Sequence, residues 1–142
     1  MISREVLRIT ILTAATLFAC VHLSARAESQ TSKELASCMD KVDLGAMKNS
    51  QWAACYGEEL KRQDARLNDA YRFVQRNVPV EAKDALVKAQ RSWIAFRDNW
   101  CGYEAALPYA PSGEVNRLAC LVELTAAQEK KLSCGQLHQA RE

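Results

Sequence analysis

Apolar and polar positions alternate along this chain with helical rather than strand periods. Thr31-Ser32-Lys33-Glu34 has the form of a capping box ahead of Leu35, Cys38, Met39 and Val42, predicting a short first helix that ends near Gly45. From Ser50 onward, Trp52, Tyr56, Leu60, Leu67, Tyr71 and Val74 fall at helical spacing. The residues between them are mostly Lys, Arg, Asp, Glu and Gln, the pattern of an amphipathic helix that packs one stripe on its neighbours.

Asn77-Val78-Pro79 interrupts that helix, and Pro79 suits the first turn of a third, where its missing N–H costs nothing. Leu86, Ala89, Trp93, Phe96 and Trp100 continue a 3–4 spacing up to Cys101-Gly102. Gly102 to Gly113 contains Pro108 and Pro111 without periodicity and is expected as a loop. A last helix is predicted from about Glu114, with Val115, Leu118, Val122, Thr125 and Leu132 inward and Gly135 as its stop. No strand-like alternation, repeat or low-complexity run intervenes, so the expected fold is all-α, a small bundle of about four helices.

Composition adds limits. The chain has 142 residues, 49% hydrophobic and 25% charged, which suits one globular domain. Once the three bases and one acid of residues 1–27 are set aside, 16 charges of each sign remain, interleaved. Such a balance offers no one-sided field to a phosphate backbone, and no nucleic-acid partner is expected.

Arg4 and Arg8 precede an apolar stretch from Ile9 to Leu23, followed by Ala25-Arg26-Ala27, the small-x-small pattern of a cleavage site. Residues 1–27 therefore read as a secretory signal and residues 28–142 as a single exported domain, periplasmic or secreted. The apolar stretch is too short to span ~30 Å of hydrocarbon. Leu17-Phe18-Ala19-Cys20 approximates a lipoprotein signal, and the competing reading tethers the chain through Cys20.

Export makes disulfides the first meaning of the cysteines. Cys38, Cys55, Cys101, Cys120 and Cys134 follow residue 27, and fifteen arrangements leave one out and pair the rest. Proximity favours Cys38 with Cys55 and Cys101 with Cys120, leaving Cys134 as the spare. No C-x-x-C pair is present and His138 is the only histidine after residue 27, so neither a zinc site nor any other metal or cofactor is expected.

Catalytic chemistry is equally sparse. A Ser or Cys nucleophile needs a base beside it, and His138 near the terminus is a poor one. The chain has no G-x-S-x-G, H-E-x-x-H or glycine-rich phosphate loop. Glu58, Glu59, Asp64 and Asp69 alternate with Lys61, Arg62, Arg66 and Arg72, which reads as a solvated, salt-bridged face rather than a carboxylate pair for glycoside chemistry. No enzyme is expected. Trp52, Trp93 and Trp100 fall on apolar faces and read as core.

Three segments carry a resemblance. They are Cys55-Tyr56-x-x-Glu59-Leu60-x-x-x-Asp64-x-x-Leu67-Asn68-x-x-Tyr71, Ala89-Gln90-Arg91-x-Trp93-x-x-Phe96-Arg97-Asp98-x-x-Cys101, and Cys120-Leu121-x-x-Leu124-Thr125. Together they resemble the lysozyme inhibitor LprI-like N-terminal domain, over roughly residues 38–132. The resemblance implies a small exported helical domain with two disulfides, its four cysteines matching Cys38, Cys55, Cys101 and Cys120, and a protein partner such as a lysozyme. This chain departs at Gln128, where the pattern usually has Arg, and in the loop, where Pro111-Ser112-Gly113 replaces a more glycine-rich turn.

An inhibitor of that kind must fill a sugar cleft whose working groups are two carboxylates. Loop position and residue type nominate Tyr103 and Tyr109 as aromatic anchors, Ser112 as a hydrogen-bond donor and Arg117 facing the carboxylates. Asp64, Asn68, Arg91, Arg97 and Asp98 read as structural, with Asp64 and Arg97 able to pair between facing helices. The alternative function is an envelope protein of the same fold with a non-lysozyme partner, or a scaffolding homodimer through Cys134.

Overall fold

The structure, a computed structural model, describes residues 33–45, 48–109 and 111–139. The expected signal segment, Cys20 and Thr31 lie outside those residues. All regular structure among the described residues is helical: α1 (33–39), α2 (Lys48–Asn77), α3 (Val80–Ala106) and α4 (Gly113–Gln139). The cysteine pairs expected from proximity are present, with Cα–Cα separations of 5.7 Å for Cys38–Cys55 and 5.5 Å for Cys101–Cys120.

Several boundaries differ from the periodicity, each for a local reason. α1 stops at residue 39 rather than near Gly45. The Lys41 and Val42 N–H groups donate to the Cys38 and Met39 carbonyls, tightening the last turn, and the Asp43 carboxylate then accepts the Gly45 N–H. α2 opens at Lys48, two residues before Ser50. Pro79 sits just outside α3, at its cap, and the Ala82 N–H donates to its carbonyl.

The largest difference is at the end of α3, which runs through Gly102 to Ala106 and shortens the loop to about 107–112. Tyr103-Glu104-Ala105-Ala106 prolong the helix, and Pro108 ends it by forcing Leu107 into an extended conformation at φ −74° and ψ 141°. Likewise α4 passes through Gly135, which is not its stop.

α2 and α4 pack along each other, and α3 packs on α4. The Cys101–Cys120 bond and a Gln90–Gln128 hydrogen bond of 3.0 Å make α3 and α4 antiparallel. α2 and α4 are parallel, so the start of α2, the end of α3 and the start of α4 meet at one end of the bundle. Both disulfides lie there. A loop the length of Cys101–Cys120, 19 residues apart in sequence, stabilises by about 3 kcal/mol in the chain-entropy estimate.

The buried line of α2 is Cys55, Glu59, Gln63, Leu67, Ala70 and Val74. It is rotated by about one residue from the expected stripe, so that Trp52, Tyr56, Leu60 and Tyr71 are only half-buried. Cys101 on α3 and Val115, Leu121 and Val122 on α4 complete the core. Phe96 and Trp100 are exposed, correcting their assignment to the inner face.

Candidate functional site

A buried carboxylate stands where the sequence suggests a solvated face. Glu59 is 0% exposed. Its Oε2 accepts from Arg62 Nε and Nη2 at 2.9 and 2.7 Å, and its Oε1 accepts from Gln63 Nε2 at 2.7 Å and Arg66 Nη2 at 3.5 Å. The arginines lie outside the line and reach inward to Glu59 while staying partly exposed themselves. Four-residue spacing from Cys55 through Glu59 and Gln63 to Leu67 is the signal that could have found this cluster. Glu58, next along, does behave as a surface acid. Its hydrogen bond from Lys61 at 2.6 Å, and then that ammonium's charge, hold the carboxyl below its usual range.

Arg97 ties the three long helices together. From α3 its Nη1 donates to Asp64 Oδ1 on α2 at 3.3 Å and to Thr125 Oγ1 on α4 at 3.1 Å, while its Nε donates to Asp98 at 3.0 Å. The guanidinium also lies 5.2 Å from the Trp93 ring centroid. Arg97 is largely buried and Asp64 half-exposed. Asn68 and Arg91 are exposed and lie outside this cluster.

At the stapled end, Ser112 caps α4, its Oγ accepting the Val115 N–H at 3.3 Å. Gly113 follows because the chain passes close against α3; a Cβ there would run into the Ala105 carbonyl oxygen. Asn49 Nδ2 donates to the Pro111 carbonyl at 2.8 Å, pinning the loop to the start of α2. Beside that bond lies a cavity of about 740 Å³ walled by Met39, Trp52, Tyr56, Pro111 and Val115. The Asn49 Oδ1 is buried there without a hydrogen-bond partner among the described residues.

The surface of this end is aromatic. Tyr109 in the loop and Tyr103 on the last turn of α3 are exposed, as is Arg117 on α4. Tyr103 is therefore a helix residue, not a loop residue. Behind it along α3, Trp100 and Phe96 continue the series, with centroids 5.5 Å apart for Tyr103–Trp100 and 6.1 Å for Trp100–Phe96. Cys134, read from the sequence as the spare, is disulfide-bonded in the full-length chain. Among the described residues no cluster of His, Cys, Asp or Glu could hold a metal ion, and no helix is long and apolar enough to cross a membrane.

The sequence from Cys38 to Leu132, which spans both disulfides, the Arg97 bridge and the aromatic end, matches the family model described as Lysozyme inhibitor LprI, over residues 38–132. The chain belongs to the lysozyme inhibitor LprI family. An uncharacterized protein of Rhizobium meliloti (strain 1021) is 29% identical over 139 residues, covering 84% of this chain and 89% of that protein. No solved structure matches.

The residues that carry the LprI resemblance now have places. Gln90 bonds α4 through Gln128, the position that departs from the usual Arg. Trp93 lies under Arg97, Arg97 bridges three helices, and Cys101 is the deepest side chain of α3. Phe96, in the middle of the same string, points away from all of these and is 52% exposed.

Proposed function

We propose that this protein is an exported, non-enzymatic binding protein that protects the cell wall by occupying a lysozyme's substrate cleft. Membership of the LprI family over residues 38–132 carries the reading. The signal-like residues 1–27 and the disulfide-bonded cysteines support export of a domain from residue 28 onward, periplasmic or secreted, with tethering through Cys20 as the alternative.

The stapled end supplies the contacts. Tyr103 and Tyr109 are its aromatic anchors, and Arg117 faces the cleft's carboxylates. The Ser112 oxygen is engaged in capping, which leaves its hydroxyl proton to donate. With charge balanced outside the signal-like segment, association gains no long-range steering from a cationic enzyme and depends on local fit.

The test is inhibition of cell-wall lysis by a c-type lysozyme, using the oxidised protein and a reduced control. Dose-dependent inhibition that disappears on reduction is the expected result. A folded, oxidised protein that leaves lysis unchanged overturns the lysozyme reading and points to a different envelope partner.

A further inference from the structure

We propose that the outer face of α3 is the element that enters the partner's cleft, with Phe96, Trp100 and Tyr103 taking the places of consecutive sugar rings. This rests on the lysozyme reading and extends its contact surface from Tyr103 at the stapled end along α3. The three aromatics stand at i, i+4 and i+7, the spacing of a helix that docks one face into a groove. They cover about 10 Å of helix axis.

α3 has used its other face. Gln90, Arg97 and Cys101 turn to α4 and α2, so Phe96, Trp100 and Tyr103 remain 52%, 46% and 54% exposed. Leaving three neighbouring rings half in water costs apolar burial that a single folded chain does not recover.

The chemistry of the face selects its occupant. All its large side chains are aromatic, while Ala89, Ser92 and Asn99 beside them are exposed, small or uncharged. By helical geometry, Arg91, Arg97 and Asp98 project elsewhere, and Glu104, four residues on from Trp100, borders the strip at its C-terminal end.

A lysozyme cleft binds a row of pyranose rings through their C–H faces and hydrogen-bonding edges, beside two carboxylates. A strip of aromatic rings edged by the Asn99 amide and the Ser92 hydroxyl offers those slots apolar faces and hydrogen-bonding edges, and between Phe96 and Tyr103 its outward positions carry no carboxylate. The Cys101–Cys120 bond beside Trp100 holds the strip rigid, so little ordering entropy is lost on docking.

Direct binding of the oxidised full chain to an immobilised c-type lysozyme, with no cell wall present, tests the assignment. Phe96→Ala and Trp100→Ala are each expected to weaken binding about 30-fold, the range of buried aromatic anchors. Ser92→Glu, which touches no core residue, is expected to weaken it comparably by setting a carboxylate against the cleft. A soluble N-acetylglucosamine oligomer should compete. Far-UV circular dichroism and an unchanged urea midpoint report that each variant is folded.

Wild-type binding that survives all three substitutions overturns the inference but keeps the lysozyme reading, with Tyr109→Ala and Arg117→Ala then locating the contact in the loop. Sedimentation with purified cell wall in the absence of lysozyme, lost in Trp100→Ala, overturns it in favour of direct glycan binding. A wild-type protein that binds no lysozyme removes the parent reading and the inference with it.

Discussion

Glu59 offers the sharpest test of how this bundle is held together. Replacing it with Leu keeps the volume but strands the Gln63 amide, which is 1% exposed and donates to Glu59 Oε1. An unsatisfied buried donor costs about 1–3 kcal/mol. Arg62 and Arg66 are 38% and 42% exposed and can turn to water, so their lost bonds add only about 1 kcal/mol.

Glu59→Leu is therefore expected to destabilise by about 3 kcal/mol. The double variant Glu59→Leu/Gln63→Leu leaves no stranded donor and should return to within about 1 kcal/mol of wild type. Urea unfolding of the oxidised protein at neutral pH, followed by circular dichroism, measures both. With an m-value of about 1.5 kcal/mol/M the single variant lowers the midpoint by about 2 M. A single variant within about 0.5 kcal/mol of wild type, or a double variant no better than the single, would refute the argument that satisfying these buried polar groups governs their cost.

Arg97→Lys keeps the charge but cannot reach Asp64 and Thr125 together, and a loss of about 1–2 kcal/mol in the same urea assay is expected. Gly113→Ala drives a methyl into the Ala105 carbonyl and should cost about 1–3 kcal/mol, whereas at Gly102, where a Cβ meets nothing, Ala should stabilise by about 0.5–1 kcal/mol; thermal melts compare the two. The Glu58 carboxyl is lowered on folding, so its contribution is present above pH 4.5, its ordinary value, and fades as the pH falls through the folded value. Lys61→Ala should shift its NMR titration upward, with no measurable change in the urea midpoint, because the pair is exposed.

What the chain determines locally was legible in it. A 3–4 apolar period specifies a helix wherever it occurs, because side-chain spacing follows from backbone geometry. Short sequence separations favour Cys38–Cys55 and Cys101–Cys120, since residues close along the chain meet at little cost in loop-closure entropy. The family's motif residues are themselves a pattern along the chain.

Which side of each helix faces inward was decided only in three dimensions. On α3 the apolar row through Phe96 and Trp100 overlaps a second row through Gln90, Arg97 and Cys101, and periodicity cannot rank them. The second row wins because Cys120, Thr125, Gln128 and Asp64, all distant in sequence, supply it with a disulfide, hydrogen bonds and an ion pair. Glu59 is buried for the same reason: its acidity marks it for the surface, but the line set by Cys55 and Leu67 passes through it, and Arg62, Gln63 and Arg66 satisfy it there. Burial depends on what meets a side chain across the fold, and that is a property of pairs of helices, not of either one alone.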